Sequence, residues 1–177
     1  NNRNPLIYKD MGADGLKTGH TQDSGYGLTA SAVRGDRRLV LVVNGLTSKK
    51  ERSREPERLL EWGFREFGNY ALLGAGEIVE EAAVWLGTEP SVSLMIENEL
   101  KLTLHKKARR EMKVKINYQG PIPAPVKKGD MLATLSVTAP GEKTVEVPLV
   151  AAADVEQLGL IGRLMAAFNY ILFGGSD

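Results

Sequence analysis

The chain has 177 residues, 42% hydrophobic and 25% charged, a composition of ordinary soluble proteins and a length sufficient for one domain or two small ones. Its 23 basic and 22 acidic side chains leave a net charge of +1, so no overall field favours nucleic acid as a partner. The absence of cysteine excludes disulfides, thiolate metal sites and a cysteine nucleophile together.

The opening "NNRNPLIYKDMGADG" has no initiator Met, no signal-peptide pattern and no helix or strand pattern of its own, and the chain is expected to begin partway through a larger protein. From Tyr26 to Ala32 apolar and small residues alternate. After Arg34-Gly35-Asp36-Arg37 comes "RLVLVVNG", ending at Asn44-Gly45, so two strands joined by a short Gly-Asp turn are expected. With "GLKTGHT" ahead of them they make a three-stranded antiparallel meander at a sheet edge. "SKKERSREPERLLEWGFREFGNY" then sets Leu59, Leu60, Trp62, Gly63, Phe64 and Phe67 at helical spacing, with Gly68-Asn69 as a stop signal. This helix is expected to cover the meander, since each must bury one face.

Beyond Asn69 the texture changes to short β-type runs: "EIVEEAAVWLG", "SVSLMIE", "LKLTLHK", "MKVKINY", "MLATLSVTA" and "KTVEVPLV". Turn signals at Gly87-Thr88, Glu97-Asn98, Pro121 to Pro125 and Pro140-Gly141 separate them, as in a small β-sandwich or barrel. The expected divisions are 1–71, a β-rich domain at 72–153, and an amphipathic helix within 154–177. In that last stretch Leu158, Ile161, Leu164, Met165, Phe168, Ile171 and Leu172 share one helical face and Asp154 is placed to cap the N-terminus. The helix suits either a membrane surface or its own domain, and the composition favours neither.

The residues able to carry chemistry are few. Lys17, Thr18 and Gly19 on an extended strand can line one wall of a cleft: an ammonium to polarise a proton-carrying group, a hydroxyl for a carboxylate, and a glycine that lets ligand backbone approach. The triplet alone is a weak signal, and Lys17 equally suits a solvated edge strand. A phosphate loop does not fit, because the earlier glycine and the following helix are missing. His20 and His105 are too few and too far apart for a metal set, and no cofactor is expected. Arg52 and Arg54 begin the helix, where an arginine near the Lys-Thr-Gly strand is suited to grip a carboxylate with two parallel bonds.

Taken together, "DGLKTGHTQDSGYGLTASA", "RRLVLVVNG" and "ERSREPERLLEWGF" resemble the low-molecular-mass penicillin-binding proteins that act as D-alanyl-D-alanine carboxypeptidases. The likeness is specific to about residue 70 and architectural afterwards. It implies an α+β fold: the C-terminal part of a β-lactamase/transpeptidase-like domain, antiparallel strands under a covering helix, followed by a small all-β domain and the amphipathic helix. It implies acyl transfer by a serine, with three motifs around the site: Ser-x-x-Lys, Ser-x-Asn and Lys-Thr-Gly. By resemblance Lys17 supplies positive potential, Thr18 binds the terminal carboxylate, the His20 backbone beside Gly19 helps form the oxyanion hole, and Arg52 assists carboxylate recognition. Only the third motif is here. Ser24, Ser31, Ser48, Ser53, Ser91, Ser93 and Ser136 all lack a lysine three residues on, so the 177 residues alone are expected to be inactive.

The expected partners are peptidoglycan stem peptides and β-lactams, in company with the missing half, and the cytoplasmic membrane surface through residues 154–177. The expected location is the periplasm. The alternatives are a β-lactamase fragment, or a non-catalytic stand-off or partner-binding module for the β-rich region.

Overall fold

A computed structural model describes residues 2–173, with backbone alone at 167 and 169–173. Two compact units emerge: Asn1–Asn69 with Thr103–Lys106, and Tyr70–Leu102 with Lys107–Asp177.

The first unit opens with an element the sequence did not announce, a one-turn 3-10 helix at Pro5–Tyr8. Asn4 explains it: fully buried, its Oδ1 accepts from the Leu6 amide at 3.0 Å while its Nδ2 donates to the Gly15 carbonyl at 2.6 Å. Strands β1 (Ala13–Thr21), β2 (Gly25–Arg34) and β3 (Arg37–Leu46) follow as an antiparallel sheet in the order β1-β2-β3, the expected meander. The register pairs Leu16 with Ala30, Thr18 with Leu28 and His20 with Tyr26. Paired residues share a face. Leu28, Ala30 and Ala32 are 2% exposed or less and pack with Leu6, Met11, Leu60 and Phe64.

Helix α1 (Lys49–Glu66) lies over that face, its buried Pro56, Leu60 and Phe64 recurring every fourth residue. Ser48 caps it, accepting from the Glu51 amide at 3.1 Å, and Glu51 reaches back to the Thr47 amide at 2.7 Å. Two expectations are corrected here. Trp62 is 47% exposed, edge-on to Phe67 at 5.0 Å, because it sits two residues off the 56-60-64 stripe. The helix ends at Glu66, before Gly68-Asn69, because the chain turns extended at Phe67, whose carbonyl accepts from Arg37 at 2.7 Å. Phe67 and the two residues after it already belong to β4 (Phe67–Leu73).

In the second unit, β5 (Ile78–Trp85), β6 (Ser91–Met95), β8 (Lys113–Asn117), β9 (Ile122–Pro123), β10 (Met131–Thr138) and β11 (Val145–Ala151) form one six-stranded sheet in the order β8-β10-β11-β6-β5-β9. Its core holds Ala82, Val92, Leu94, Leu135, Val137 and Leu149. A separate ladder joins β4 to β7 (Leu100–His105), and a single helical turn, α2 (Lys106–Arg110), follows β7. Residues 103–106 group with the first unit, since Thr103 donates to Asn69 at 2.8 Å and His105 stands 3.5 Å from Glu66. The stretch Pro121 to Pro125, expected as a turn, contributes β9, which pairs in parallel with Val84 and Trp85.

Helix α3 spans Leu160–Phe173. Asp154 does not cap it. It lies six residues before the first helical residue, Leu160, and its carboxylate accepts from the Lys128 amide at 2.7 Å. Leu158 also precedes the helix, its amide bonded to the Leu86 carbonyl at 2.8 Å. The side chains of Ile171 and Leu172, and residues 174–177, lie outside the described residues.

Candidate active site

The motif strand β1 pairs only with β2 among the described residues, so no strand covers its other edge, though the Asn4 and Asn2 side chains donate to the Gly15 and Leu16 carbonyls. Alternation along β1 puts Leu16, Thr18 and His20 on the face covered by α1, and Lys17 and Gly19 on the opposite face. Thr18 is 9% exposed. Lys17 is exposed, and its ammonium donates to the Thr18 carbonyl at 2.9 Å. A Cβ built on Gly19 meets no atom within 4 Å, whereas one on its cross-strand partner Gly27 would lie 2.5 Å from Asn44 Oδ1. A side chain at 27 would have to displace Asn44 and press on the Val43 carbonyl oxygen at 3.2 Å, whereas one at 19 meets open space.

The start of the motif is clamped across all three strands. Asp14 falls where the β1-β2 register slips, the signature of a bulge. Arg38 on β3 donates to its carboxylate at 2.7 and 3.0 Å and also bonds Ser31 on β2. The hydrogen bond from Arg38, then that to Ser31, hold the Asp14 carboxyl below its ordinary range.

At the other end, three elements converge. Arg52, in the first turns of α1, donates to the Gly19 carbonyl at 3.3 Å across 33 residues of chain. Its Cζ also lies 5.3 Å from the centroid of the Tyr26 ring on β2, and that ring stacks at 3.9 Å on His20. The Arg52 Nε is buried without a partner, and the guanidinium spends one of its donors on Gly19. Lys17, Thr18, Gly19, His20 and Arg52 thus occupy one end of the sheet. Arg54 does not join them and pairs with Glu55 at 3.0 Å. His105 is likewise apart, beside Glu66 and 5.4 Å from the Phe67 ring. Sequence reasoning missed Tyr26 and the Asp14–Arg38 clamp. The only hint of Tyr26 was an aromatic set between two glycines, Gly25 and Gly27.

A family model described as penicillin-binding protein 5, C-terminal domain, matches residues 67–157, and one described as D-alanyl-D-alanine carboxypeptidase matches residues 1–48. The chain belongs to the low-molecular-mass penicillin-binding proteins. Among relatives of this penicillin-binding protein chain, D-alanyl-D-alanine carboxypeptidase DacD of Escherichia coli K12 is 34% identical over 171 residues, 96% of this chain and 44% of the relative. The crystal structure of penicillin-binding protein 5 from Haemophilus influenzae matches at a TM-score of 0.70 and 33% identity, over 88% of this chain and 46% of that one. The carboxypeptidase DacD from Francisella tularensis matches at 0.67 and 27%, over 88% and 39%. The penicillin-binding protein chain therefore spans somewhat less than half the length of the relatives it matches. The two matched regions flank α1, so the helix that carries Arg52 lies between them and in neither.

Proposed function

We propose that the parent protein is a serine-type D-alanyl-D-alanine carboxypeptidase, that β1 forms one wall of its cleft, and that the nucleophile lies outside these 177 residues. A serine oxygen attacks the carbonyl carbon between two D-alanines, the terminal D-alanine departs as the free amine, and water hydrolyses the resulting ester. Lys17 supplies positive potential, Thr18 and Arg52 receive the terminal carboxylate, and the His20 amide, beside Gly19, donates to the developing oxyanion. The observation that carries this reading is Arg52 on the Gly19 carbonyl: it sets a guanidinium with donors to spare at the open edge of the Lys-Thr-Gly strand. The open edge and the unoccupied space at Gly19 suit an extended peptide added alongside.

The test is D-alanine release by the parent protein from a peptide ending in D-Ala-D-Ala. Arg52→Ala is expected to lower kcat/KM by roughly 10- to 100-fold, the worth of a charged hydrogen-bonded contact. A parent protein that neither releases D-alanine nor is acylated by penicillin overturns the reading. Hydrolysis of β-lactams faster than of peptide would instead establish a β-lactamase. The 177-residue chain alone is expected to take up no covalent fluorescent penicillin.

For α3 we propose a resting place on an anionic membrane surface outside the cytoplasm, which puts the parent in the periplasm where stem peptides are found. Leu160, Ile161, Leu164, Met165 and Phe168 are all more than 60% exposed, and among the described residues no helix is long and apolar enough to cross a membrane. Co-flotation of the parent with vesicles containing phosphatidylglycerol, lost on deleting residues 160–177, supports this. Unchanged flotation refutes it.

A further inference from the structure

We propose that Tyr26 is a positioning residue for substrate recognition: its ring is the plate on which the Arg52 guanidinium and the His20 imidazole are held in place. The geometry is specific. Arg52 Cζ stands 5.3 Å from the ring centroid, and the His20 ring stands 3.9 Å from it at an interplanar angle of 40°. The ring face attracts the cation, and His20 shares the same plate. An arginine otherwise wanders among many rotamers, so a guanidinium already parked on an aromatic loses less freedom when a carboxylate arrives.

The backbone around Tyr26 is built for this placement and not for core packing. Tyr26 is half-buried and lies outside the cluster of Leu28, Ala30, Ala32, Leu60 and Phe64. Gly25 before it has φ of +66°, and a Cβ there would lie 2.8 Å from the Leu46 carbonyl oxygen. A Cβ on Gly27 after it would press on the Asn44 side chain, and the β2-β3 register slips between Tyr26 and Leu28. These features turn the end of β2 so that its aromatic sits beside β1 and under the first turns of α1. The contacts to both neighbours run through the ring face, so phenylalanine is expected to replace tyrosine here.

The proposal rests on the reading of Arg52 as a carboxylate ligand, and the experiment separates the two. In the parent protein, D-alanine release is measured for Tyr26→Leu, Tyr26→Phe, Arg52→Ala and the double variant Tyr26→Leu/Arg52→Ala, each checked for an unchanged melting temperature. Tyr26→Leu is expected to raise KM about 3- to 5-fold with kcat nearly unchanged, in line with a cation–π contact at a half-exposed site. Tyr26→Phe is expected to stay within about 2-fold of wild type, and Tyr26→Leu to add almost nothing on the Arg52→Ala background. The proposal is overturned if Tyr26→Leu leaves KM unchanged, if Tyr26→Phe is as damaging as Tyr26→Leu, or if the two substitutions simply add. If Arg52→Ala itself leaves KM unchanged, the carboxylate reading fails first. Should Tyr26→Leu not fold, the wild-type protein labelled with 15N-arginine decides: the Arg52 Nε–H resonance, identified by its loss in Arg52→Lys, is expected to carry a ring-current shift. A resonance at the free-arginine position overturns the proposal.

Discussion

Strands β1 and β10 are similar in length and both antiparallel, yet they obey different rules. From Leu132 to Thr138 of β10 buried and less buried residues alternate, and the strand is paired on both sides, with β8 and β11. Along β1 only Gly15 and Thr18 are buried, and pairing is one-sided. Packing accounts for every inward side chain of β10. It accounts for almost none of Lys17, Gly19 and His20, which lie on a strand with no second β partner among the described residues. Beyond the register slip at Asp14, β1 departs from the alternation that β10 keeps, so the core does not dictate its residues.

Substitutions can break this contrast, and the largest effect belongs to β10. Leu135 is 0% exposed among Val92, Leu94 and Leu149, so Leu135→Ala is expected to cost about 2–5 kcal/mol in urea unfolding of the parent protein. Lys17→Ala, by contrast, is expected to leave stability within about 0.5 kcal/mol. A destabilisation by Lys17→Ala comparable to that of Leu135→Ala would erase the distinction.

Two glycines sharpen the comparison within one unit. At Gly12 φ is +74° and an added Cβ would lie 2.1 Å from the Val33 carbonyl oxygen, a backbone atom that cannot step aside. Gly12→Ala is therefore expected to lose about 1–3 kcal/mol. Gly19→Ala meets open space and is expected to keep the wild-type melting temperature while lowering D-alanine release at least about 10-fold. Release left intact by Gly19→Ala would mean that nothing approaches the strand at that point.

A smaller effect concerns the helix over the sheet. Arg37 donates to the carbonyls of Phe67 at 2.7 Å and Phe64 at 3.3 Å, closing the C-terminal end of α1, and its guanidinium also stands 5.6 Å from the Phe64 ring. Arg37→Ala is expected to cost about 1–2 kcal/mol, read from the unfolding midpoint.

The smallest effect is graded by pH. Hydrogen bonds from Arg34 lower the pKa of Glu61, those from Thr47 lower Glu51, and those from Arg38 lower Asp14. A carboxyl whose folded pKa is depressed binds fewer protons folded than unfolded, so its stabilisation is present above its unfolded value and fades as pH falls through the folded one. Stability is therefore expected to be level near neutrality and to decline below about pH 4.5. Glu61→Gln is expected to flatten that decline in an acid titration of the melting temperature, and an unaltered slope would remove Glu61 from the account.

Much of this molecule was legible in the chain of letters. The three-stranded meander, its covering helix and most β runs of the second unit follow from apolar periodicity and turn residues, which are local signals. The misreadings have two physical origins, helical phase and long-range hydrogen bonds. Trp62 has the right chemistry for a buried face but the wrong phase relative to Pro56, Leu60 and Phe64. Gly68-Asn69 looked like a helix stop, but Arg37, 30 residues away, bonds the Phe67 carbonyl where the chain already turns extended. Asp154 resembled a cap but is occupied by the Lys128 amide, 26 residues distant. In the last two cases a long-range partner outweighed a local preference; Trp62 was a matter of phase within its own helix.

The sequence by itself determined the family, through a motif strand, an apolar strand and a helix of recognisable spelling, and it determined that no Ser-x-x-Lys lies within these 177 residues. Only the tertiary structure decided that Arg52 reaches Gly19, that Tyr26 underlies both Arg52 and His20, and that Arg38 clamps Asp14 across three strands. Motif and periodicity are properties of neighbours in the chain. These contacts, from 6 to 33 residues apart, exist only once the hairpin register and the angular phase of α1 are set together.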